Sequence, residues 1–84
     1  MAELRSLKSI GKAIEVKLKS VGIATAEELK QAGSREAFFR LKLQYPNTCL
    51  VSLYALEGAI SGIEYNQLPD DVKNSLKEYS DSLR

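Results

Sequence analysis

Apolar residues recur at spacings of three and four along most of the chain, in short segments that glycine, proline and capping residues separate. This spacing places the apolar side chains on one face of an α-helix, and such a face must be buried against another element. No segment shows the strict alternation of a half-buried strand over a useful length. The pattern therefore predicts an all-α fold, a compact bundle of about five short helices.

Local signals set the boundaries of the first two helices. The first is expected from about Gly11 to Val21, because Gly22 suits the positive φ found where helices end. Thr25 and Glu28 have the spacing of a capping box, in which each side chain satisfies a free backbone N–H group at a helix start. A short second helix is therefore predicted over residues 26–32.

The middle of the chain holds two further predicted helices. Ser34 is expected to cap the third helix, and Pro46 stops it because proline cannot continue a helix. Asn47 or Thr48 is expected to cap the fourth helix, which runs through about Ser61 and is the most hydrophobic element of the chain. We therefore expect the fourth helix to be central.

The length of 84 residues fits a single domain over residues 1–84 with one modest core. The last helix is expected near Pro69, and a first turn near residues 2–7. No stretch approaches the ~18 apolar residues that span a bilayer, and residues 1–5 lack the apolar run of a signal peptide. We therefore expect a cytoplasmic protein.

Charge is unevenly distributed along the chain. The formal net charge is only +1, from 12 basic and 11 acidic residues. Residues 1–23 carry five basic and two acidic residues, whereas the remainder has a net charge of −2. The positive end of the chain is therefore at its N-terminus, where an anionic partner would be attracted.

The sequence offers few groups that could support catalysis. Cys49 is the one cysteine and histidine is absent, so an internal disulfide and an ordinary zinc site are both excluded. The adjacent Asp70 and Asp71 suit the positive end of a helix dipole better than they suit a metal ion. No nucleophile–base pair or phosphate-cradling glycine loop is recognisable. We therefore predict a protein that is not an enzyme and that needs no metal or cofactor.

The stretch from Leu7 to Ile14, Leu-Lys-Ser-Ile-Gly-Lys-Ala-Ile, resembles a helix-hairpin-helix element. In such elements a tight turn ends at the N-terminus of the second helix, where free N–H groups hold a DNA phosphate without reading bases. A serine stands where one of the two usual glycines is expected. The candidate nucleic-acid contacts are Lys8, Ser9, Gly11, Lys12, Lys17 and Lys19. The alternative is a tight corner between helices with solvated lysines.

A wider pattern covers nearly the whole chain. It joins the Gly-Ile-x-Thr-x-Glu-Glu-Leu segment at residues 22–29, the Leu-Tyr-Ala-Leu-Glu-Gly-Ala-Ile run at residues 53–60 and Leu68-Pro69. This pattern resembles the C-terminal domain of the TfoX/Sxy family of competence regulators. The resemblance implies a noncatalytic regulatory domain that acts in DNA transformation, and longer members carry an additional N-terminal domain.

Two functions remain open at this point. The first is sequence-independent binding of DNA through the basic N-terminal end, which added salt should weaken steeply. The second is a protein–protein or self-association module, with a regulatory protein or a second copy as partner. Phe39, Leu43 and Tyr65 are its candidate contacts, because they fall off the faces assigned to the core.

Two residues of the fourth helix stand out. Glu57 has largely apolar neighbours, so we expect a structural hydrogen bond from a tyrosine or an arginine, or simple exposure, rather than a catalytic role. Gly58 lies on the same helix. Because it has no side chain, it is expected to let another helix approach closely.

Overall fold

The computed structural model describes residues 4, 7 and 10–83 of the chain. Over these residues the chain forms five α-helices, and a short 3₁₀ helix lies between the last two. Their bounds are Lys12–Ser20 (α1), Ala26–Ala32 (α2), Ser34–Gln44 (α3), Leu50–Ser61 (α4) and Asp70–Ser82 (α5), with the 3₁₀ helix at Tyr65–Gln67. The predicted all-α fold with five helices is confirmed. Most of the first turn predicted near residues 2–7 lies outside the described residues.

The described helices are short. The longest of them, α5, has 13 residues, whereas a transmembrane helix needs about 20. None of the described helices is both long and apolar enough to cross a bilayer.

The corner between α1 and α2 is built on Gly22, as the sequence predicts. Gly22 has a φ of 89°, which lets the chain fold back over the end of α1. Its N–H donates to the carbonyl of Lys19 at 3.2 Å, and the N–H of Ile23 donates to the carbonyl of Leu18 at 2.9 Å. Ile23 is buried in the core, so an apolar contact accompanies these two hydrogen bonds.

The predicted capping box at the start of α2 is present. The backbone N–H of Glu28 donates to the Thr25 hydroxyl oxygen at 3.2 Å. The Glu28 carboxylate in turn accepts from the backbone N–H of Ala24 at 3.2 Å. The return bond therefore reaches one residue further back than the N-cap, and it still satisfies a free backbone donor.

Two other predicted caps are wrong. The preceding glycine is the N-cap of α3, and Ser34 is the first helical residue, whose hydroxyl donates to Glu57 instead. Before α4 the N-cap is Cys49, while the Thr48 hydroxyl donates to the carbonyl of Tyr45 at 2.6 Å. In both places the hydroxyl donates to an acceptor outside the helix that it was expected to cap, because serine and threonine hydroxyls donate as readily as they accept.

Helix α4 is the centre of the core, as expected from its hydrophobicity. It packs against α3, α5 and the 3₁₀ helix, and it buries Leu53, Leu56 and Ala59. Each of the other helices contributes fully buried leucine or phenylalanine side chains to the same cluster, namely Leu18, Leu29, Phe38, Leu41 and Leu76. Helix α1 reaches this core through its contact with α3.

Gly58 lets the chain that follows α4 fold back onto this helix. A Cβ atom at position 58 would lie 2.7 Å from the carbonyl oxygen of Ile63 and 3.2 Å from the backbone nitrogen of Tyr65. The N–H of Ile63 donates to the carbonyl of Gly58 at 3.0 Å. The close approach predicted at Gly58 is confirmed, although the partner is the backbone of residues 63–65 rather than another helix.

We expect Gly58→Ala to lower the free energy of unfolding by roughly 1–3 kcal/mol, because the added methyl meets backbone atoms that must move. This loss is the net change, after the gain of about 1 kcal/mol that alanine brings to a helix. Urea unfolding followed by circular dichroism measures it. Asn74→Ala, at an exposed position of α5, is the matched control, where helix propensity acts alone. A Gly58→Ala protein as stable as the control would contradict the close contact.

Candidate nucleic-acid interface

Helix α1 presents one basic face away from the core. We refer to its exposed residues, Lys12, Ala13, Val16, Lys17, Lys19 and Ser20, as the α1 outer face. They span an arc of roughly 160° on the helix, and Leu18 lies on the buried side. Within α1, all of whose residues are described, the one acidic side chain is Glu15, which is only 7% exposed. The outer face thus carries three lysines and no carboxylate.

The N-terminal end of α1 lacks a side-chain cap. Gly11 is the N-cap residue, and a Cβ atom built on it would meet nothing within 4 Å. Helix α2 differs, because the Thr25 side chain caps it and its first-turn glutamates are exposed, whereas the first-turn glutamate of α1, Glu15, is buried. The positive end of a helix dipole favours an anion. Helix α1 therefore offers such an end with no carboxylate or hydroxyl from its own N-cap.

The structure places the described nucleic-acid candidates on one side of the molecule. They are Gly11 and Lys12 at the start of α1, and Lys17 and Lys19 on the outer face. Lys8 and Ser9 lie outside the described residues. Gly11 has a φ of −96° and a ψ of 178°, which is extended backbone that any residue adopts. The entry of the chain into α1 therefore does not need the special conformational freedom of glycine at position 11.

Tyr45 joins this face from the end of α3. The Lys17 Nζ atom lies 5.2 Å from the centroid of the Tyr45 ring. The Ser20 hydroxyl donates to the carbonyl of Lys17 at 2.6 Å. A serine hydroxyl has one proton, so in the 2.9 Å hydrogen bond between the two hydroxyls Tyr45 is the donor and Ser20 the acceptor. Two contacts thus hold the tyrosine ring against α1.

The spacing of Phe38, Leu41 and Tyr45 in the sequence predicts that Tyr45 lies on the core face of the third helix, but it does not connect Tyr45 with the lysines. The ring is half-buried and packs against the core, so that assignment is correct as far as it goes. The second contact, with Lys17, arises because α1 packs on α3. No local signal relates two residues that are 28 positions apart in the sequence, so this part of the site could not be found from the chain alone.

A shallow hollow of about 620 Å³ lies on the α1 outer face. It is lined by Lys12, Ala13, Val16, Lys17 and Tyr45. Val16 is 56% exposed, so an apolar side chain in the lining of the hollow faces solvent. Two lysine side chains accompany this apolar surface. The hollow can therefore accept a ligand that is flat or apolar in one part and negatively charged in another.

The candidate protein contacts fall in two places. Phe39 and Leu43 lie one turn apart on α3 and are 38% and 70% exposed. Together they line a hollow of about 260 Å³, whose other residues are Lys42, Pro46 and Leu83. Tyr65 lies in the 3₁₀ helix and is also exposed, but it does not line this hollow. The exposure expected for all three residues is confirmed, and two of them share a surface.

Glu57 binds two serines rather than the expected tyrosine or arginine. Its Oε1 atom accepts from the Ser34 hydroxyl at 2.7 Å, and its Oε2 atom accepts from the Ser61 hydroxyl at 3.2 Å. Arg35 and Glu57 both line a hollow of about 300 Å³. The Arg35 guanidinium nevertheless donates to the Ser75 hydroxyl at 2.8 Å. The Glu57 carboxylate therefore ties the start of α3 to α4, which is a structural role.

Cys49 is exposed at the N-cap of α4. A hydrogen bond from the backbone N–H of Ser52 lowers the pKa of the Cys49 thiol below its usual value. The thiol therefore ionises at a lower pH than a free cysteine. Among the described residues, no three histidine, cysteine, aspartate or glutamate side chains lie close enough together to hold a metal ion.

Known proteins are similar to this chain in sequence, and two solved structures among them have a similar fold. The family model described as TfoX C-terminal domain matches residues 1–79. Protein Sxy of Escherichia coli (strain K12) is 34% identical over 80 residues, which are 95% of this chain and 38% of Sxy. The chain thus spans well under half the length of this relative.

Two crystal structures from Listeria monocytogenes superpose on the chain with a TM-score of 0.95 each. The triclinic form of an uncharacterized protein is 44% identical, and the match covers 98% of this chain and 93% of that protein. The tetragonal form, of a protein of unknown function, is 43% identical, and the match covers 98% of this chain and 100% of that protein.

The hydrogen bond between Ser34 and Glu57 can be tested by a double-mutant cycle. We expect Ser34→Ala and Glu57→Ala together to destabilise the protein by about 1–2 kcal/mol less than the sum of their separate effects, because each single variant leaves a part-buried partner unsatisfied. Urea unfolding of the four proteins measures this coupling. A cycle that pairs Ser34→Ala with Glu64→Ala, an exposed glutamate on another segment, is the control and should be additive. Additivity of the Ser34 and Glu57 effects would contradict the bond.

Proposed function

The chain belongs to the TfoX C-terminal domain family, and on this basis we propose that it is a noncatalytic binding module that holds DNA phosphates at α1 without reading bases. The resemblance implies a regulatory part in competence for DNA transformation. Because the chain matches only 38% of the length of Escherichia coli Sxy, this regulatory role in competence is also a proposal.

The observation that carries the proposal is the charge of the α1 outer face. Lys12, Lys17 and Lys19 are exposed on it, and α1 places no carboxylate there. Phosphate contacts by lysine and arginine supply most of the affinity in sequence-independent DNA binding. A face that combines several cations and excludes anions suits a phosphate backbone better than it suits ordinary solvated salt bridges.

The start of α1 adds a second contribution to the same site. Lys12 is the first helical residue and follows an N-cap that provides no side-chain acceptor. A cation at this position opposes the helix dipole, and a bound phosphate would reverse that unfavourable interaction. Free N–H groups and a lysine at one helix end together resemble the phosphate sites found at helix N-termini.

The overall charge of the chain limits the expected affinity. The net charge is only +1, so acidic residues elsewhere oppose the lysines of α1. Three phosphate contacts correspond to a loss of roughly 40-fold in affinity between 50 and 200 mM salt on duplex DNA. We therefore expect weak binding that is independent of base sequence and steeply dependent on salt.

One observation favours a second candidate function, which is a protein–protein module. Phe39 and Leu43 expose apolar surface on α3 and line a common hollow. Exposed apolar side chains that share a hollow are typical of contact surfaces between proteins. This surface is separate from the α1 outer face in its lining residues, so the two functions can be tested independently.

We expect Lys12→Gln/Lys19→Gln to weaken binding to a labelled duplex and to reduce the slope of log affinity against log salt by about 2, since each phosphate contact contributes about 0.9. Fluorescence anisotropy over a salt series measures both effects. The matched control, Lys30→Gln/Lys77→Gln, removes the same charge from exposed lysines of α2 and α5. Equal effects of the two double variants would mean that only total charge matters and would exclude a site at α1.

Gly11→Asp separates binding from folding in the same assay. Aspartate is a better N-cap than glycine, and the extended backbone at position 11 accepts it. We therefore expect stability to rise by about 0.3–1 kcal/mol, while DNA binding weakens several-fold because the carboxylate occupies the phosphate position. Unchanged DNA binding by a stabilised Gly11→Asp protein would exclude the helix end as a contact.

If self-association is the function instead, the average mass should rise with protein concentration, and Leu43→Lys should abolish the rise by placing a charge on the apolar surface. Static light scattering over a concentration series measures this. Val51→Lys changes another exposed apolar residue, on α4, and serves as the control. A mass that stays at that of one chain would exclude the self-association form of this function.

A further inference from the structure

We propose that the hollow on the α1 outer face binds an unpaired base of single-stranded DNA, which stacks on the accessible part of the Tyr45 ring. This inference rests on the proposed function, because two of the lysines that hold phosphates, Lys12 and Lys17, also line the hollow. It assigns to the domain a preference for single strands over duplexes of equal length.

The Tyr45 ring is already held in position. Its hydroxyl donates to Ser20, whose own proton is donated to the carbonyl of Lys17. The other end of the ring system is anchored because Tyr45 is the C-cap of α3 and packs against the core. A fixed aromatic surface loses little conformational entropy when a base stacks on it.

The walls of the hollow match the two parts of a nucleotide. Ala13 and Val16 supply apolar surface beside the ring, and Lys12 and Lys17 supply positive charge at the same rim. Aromatic side chains beside a basic groove are the arrangement by which proteins hold single strands without sequence preference. A base within a duplex is paired and stacked, so it cannot enter the hollow unless the duplex opens.

Lys17 makes one contact in the free state and a different one in the bound state. Its Nζ atom lies 5.2 Å from the ring centroid, a cation–π contact that is weak when it is exposed to water. A base that stacks on the ring gains more than this contact provides. The base therefore displaces the Lys17 ammonium group from the ring. The ammonium group then moves to the adjacent phosphate and forms an ion pair with it.

The charge of the face argues for a polyanion, and the ring selects among polyanions. An acidic peptide could also bind the three lysines, but it offers no flat ring system to the Tyr45 side chain. The test therefore uses a labelled oligothymidylate of about 12 nucleotides, an abasic strand with the same phosphates, a duplex of the same length, and a glutamate-rich peptide of equal charge.

We expect the oligothymidylate to bind the wild-type chain about fivefold or more tightly than the abasic strand, in line with the effect of one stacked base. Tyr45→Leu should remove this difference and leave abasic and duplex binding within about twofold. Tyr45→Phe, which keeps the ring, should retain the difference. Ala13→Leu fills the hollow from an exposed helix position, so it should act like Tyr45→Leu even if the latter fails to fold. Fluorescence anisotropy at low salt measures all four ligands.

The two levels of the proposal fail in different ways. If none of the DNA ligands binds, the proposed function is wrong. If the oligothymidylate, the abasic strand and the duplex bind equally, and Tyr45→Leu and Ala13→Leu change nothing, phosphate binding stands and the base site is overturned. Tighter binding of the acidic peptide than of the oligothymidylate would also overturn the base site, and would point to a protein partner for the same face.

Discussion

The close contact between Gly58 and the backbone of residues 63–65 holds the chain that follows α4 against this helix. A Cβ at position 58 would lie 2.7 Å from the carbonyl oxygen of Ile63, so a side chain there would push the returning chain away. With glycine, the chain reverses directly after α4, and the 3₁₀ helix and α5 both pack on α4. A chain of 84 residues has one modest core, to which α4 contributes Leu53 and Leu56.

Helix α3 connects the core to the candidate nucleic-acid interface. Near its N-terminal end Ser34 donates to Glu57 of α4, and along its length Phe38 and Leu41 are buried. At its C-terminal end the helix stops before Pro46, and Tyr45 lies against α1. The candidate nucleic-acid interface is therefore assembled from two helices, and its aromatic part depends on how α3 is fixed to α4.

The electrostatics of the candidate interface are local rather than global. The chain as a whole is nearly neutral, with a net charge of +1, yet α1 exposes three lysines and buries its single glutamate. Charges separated by more than a Debye length, about 8–10 Å near physiological salt, are largely screened from each other. A small basic face can therefore attract a phosphate backbone even though acidic residues predominate in the rest of the chain.

The sequence by itself determined the helices and most of their ends, because apolar spacing, Gly22, Pro46 and the Thr25 capping box act over only a few residues. It also determined which side of α1 carries lysines, since that follows from helical geometry alone. Only the tertiary structure decided that Ser34 donates to Glu57 instead of capping α3, and that Tyr45 lies beside the lysines of α1. Those contacts join residues 23 or more positions apart, and such pairs are set by how whole helices pack, which no local pattern records.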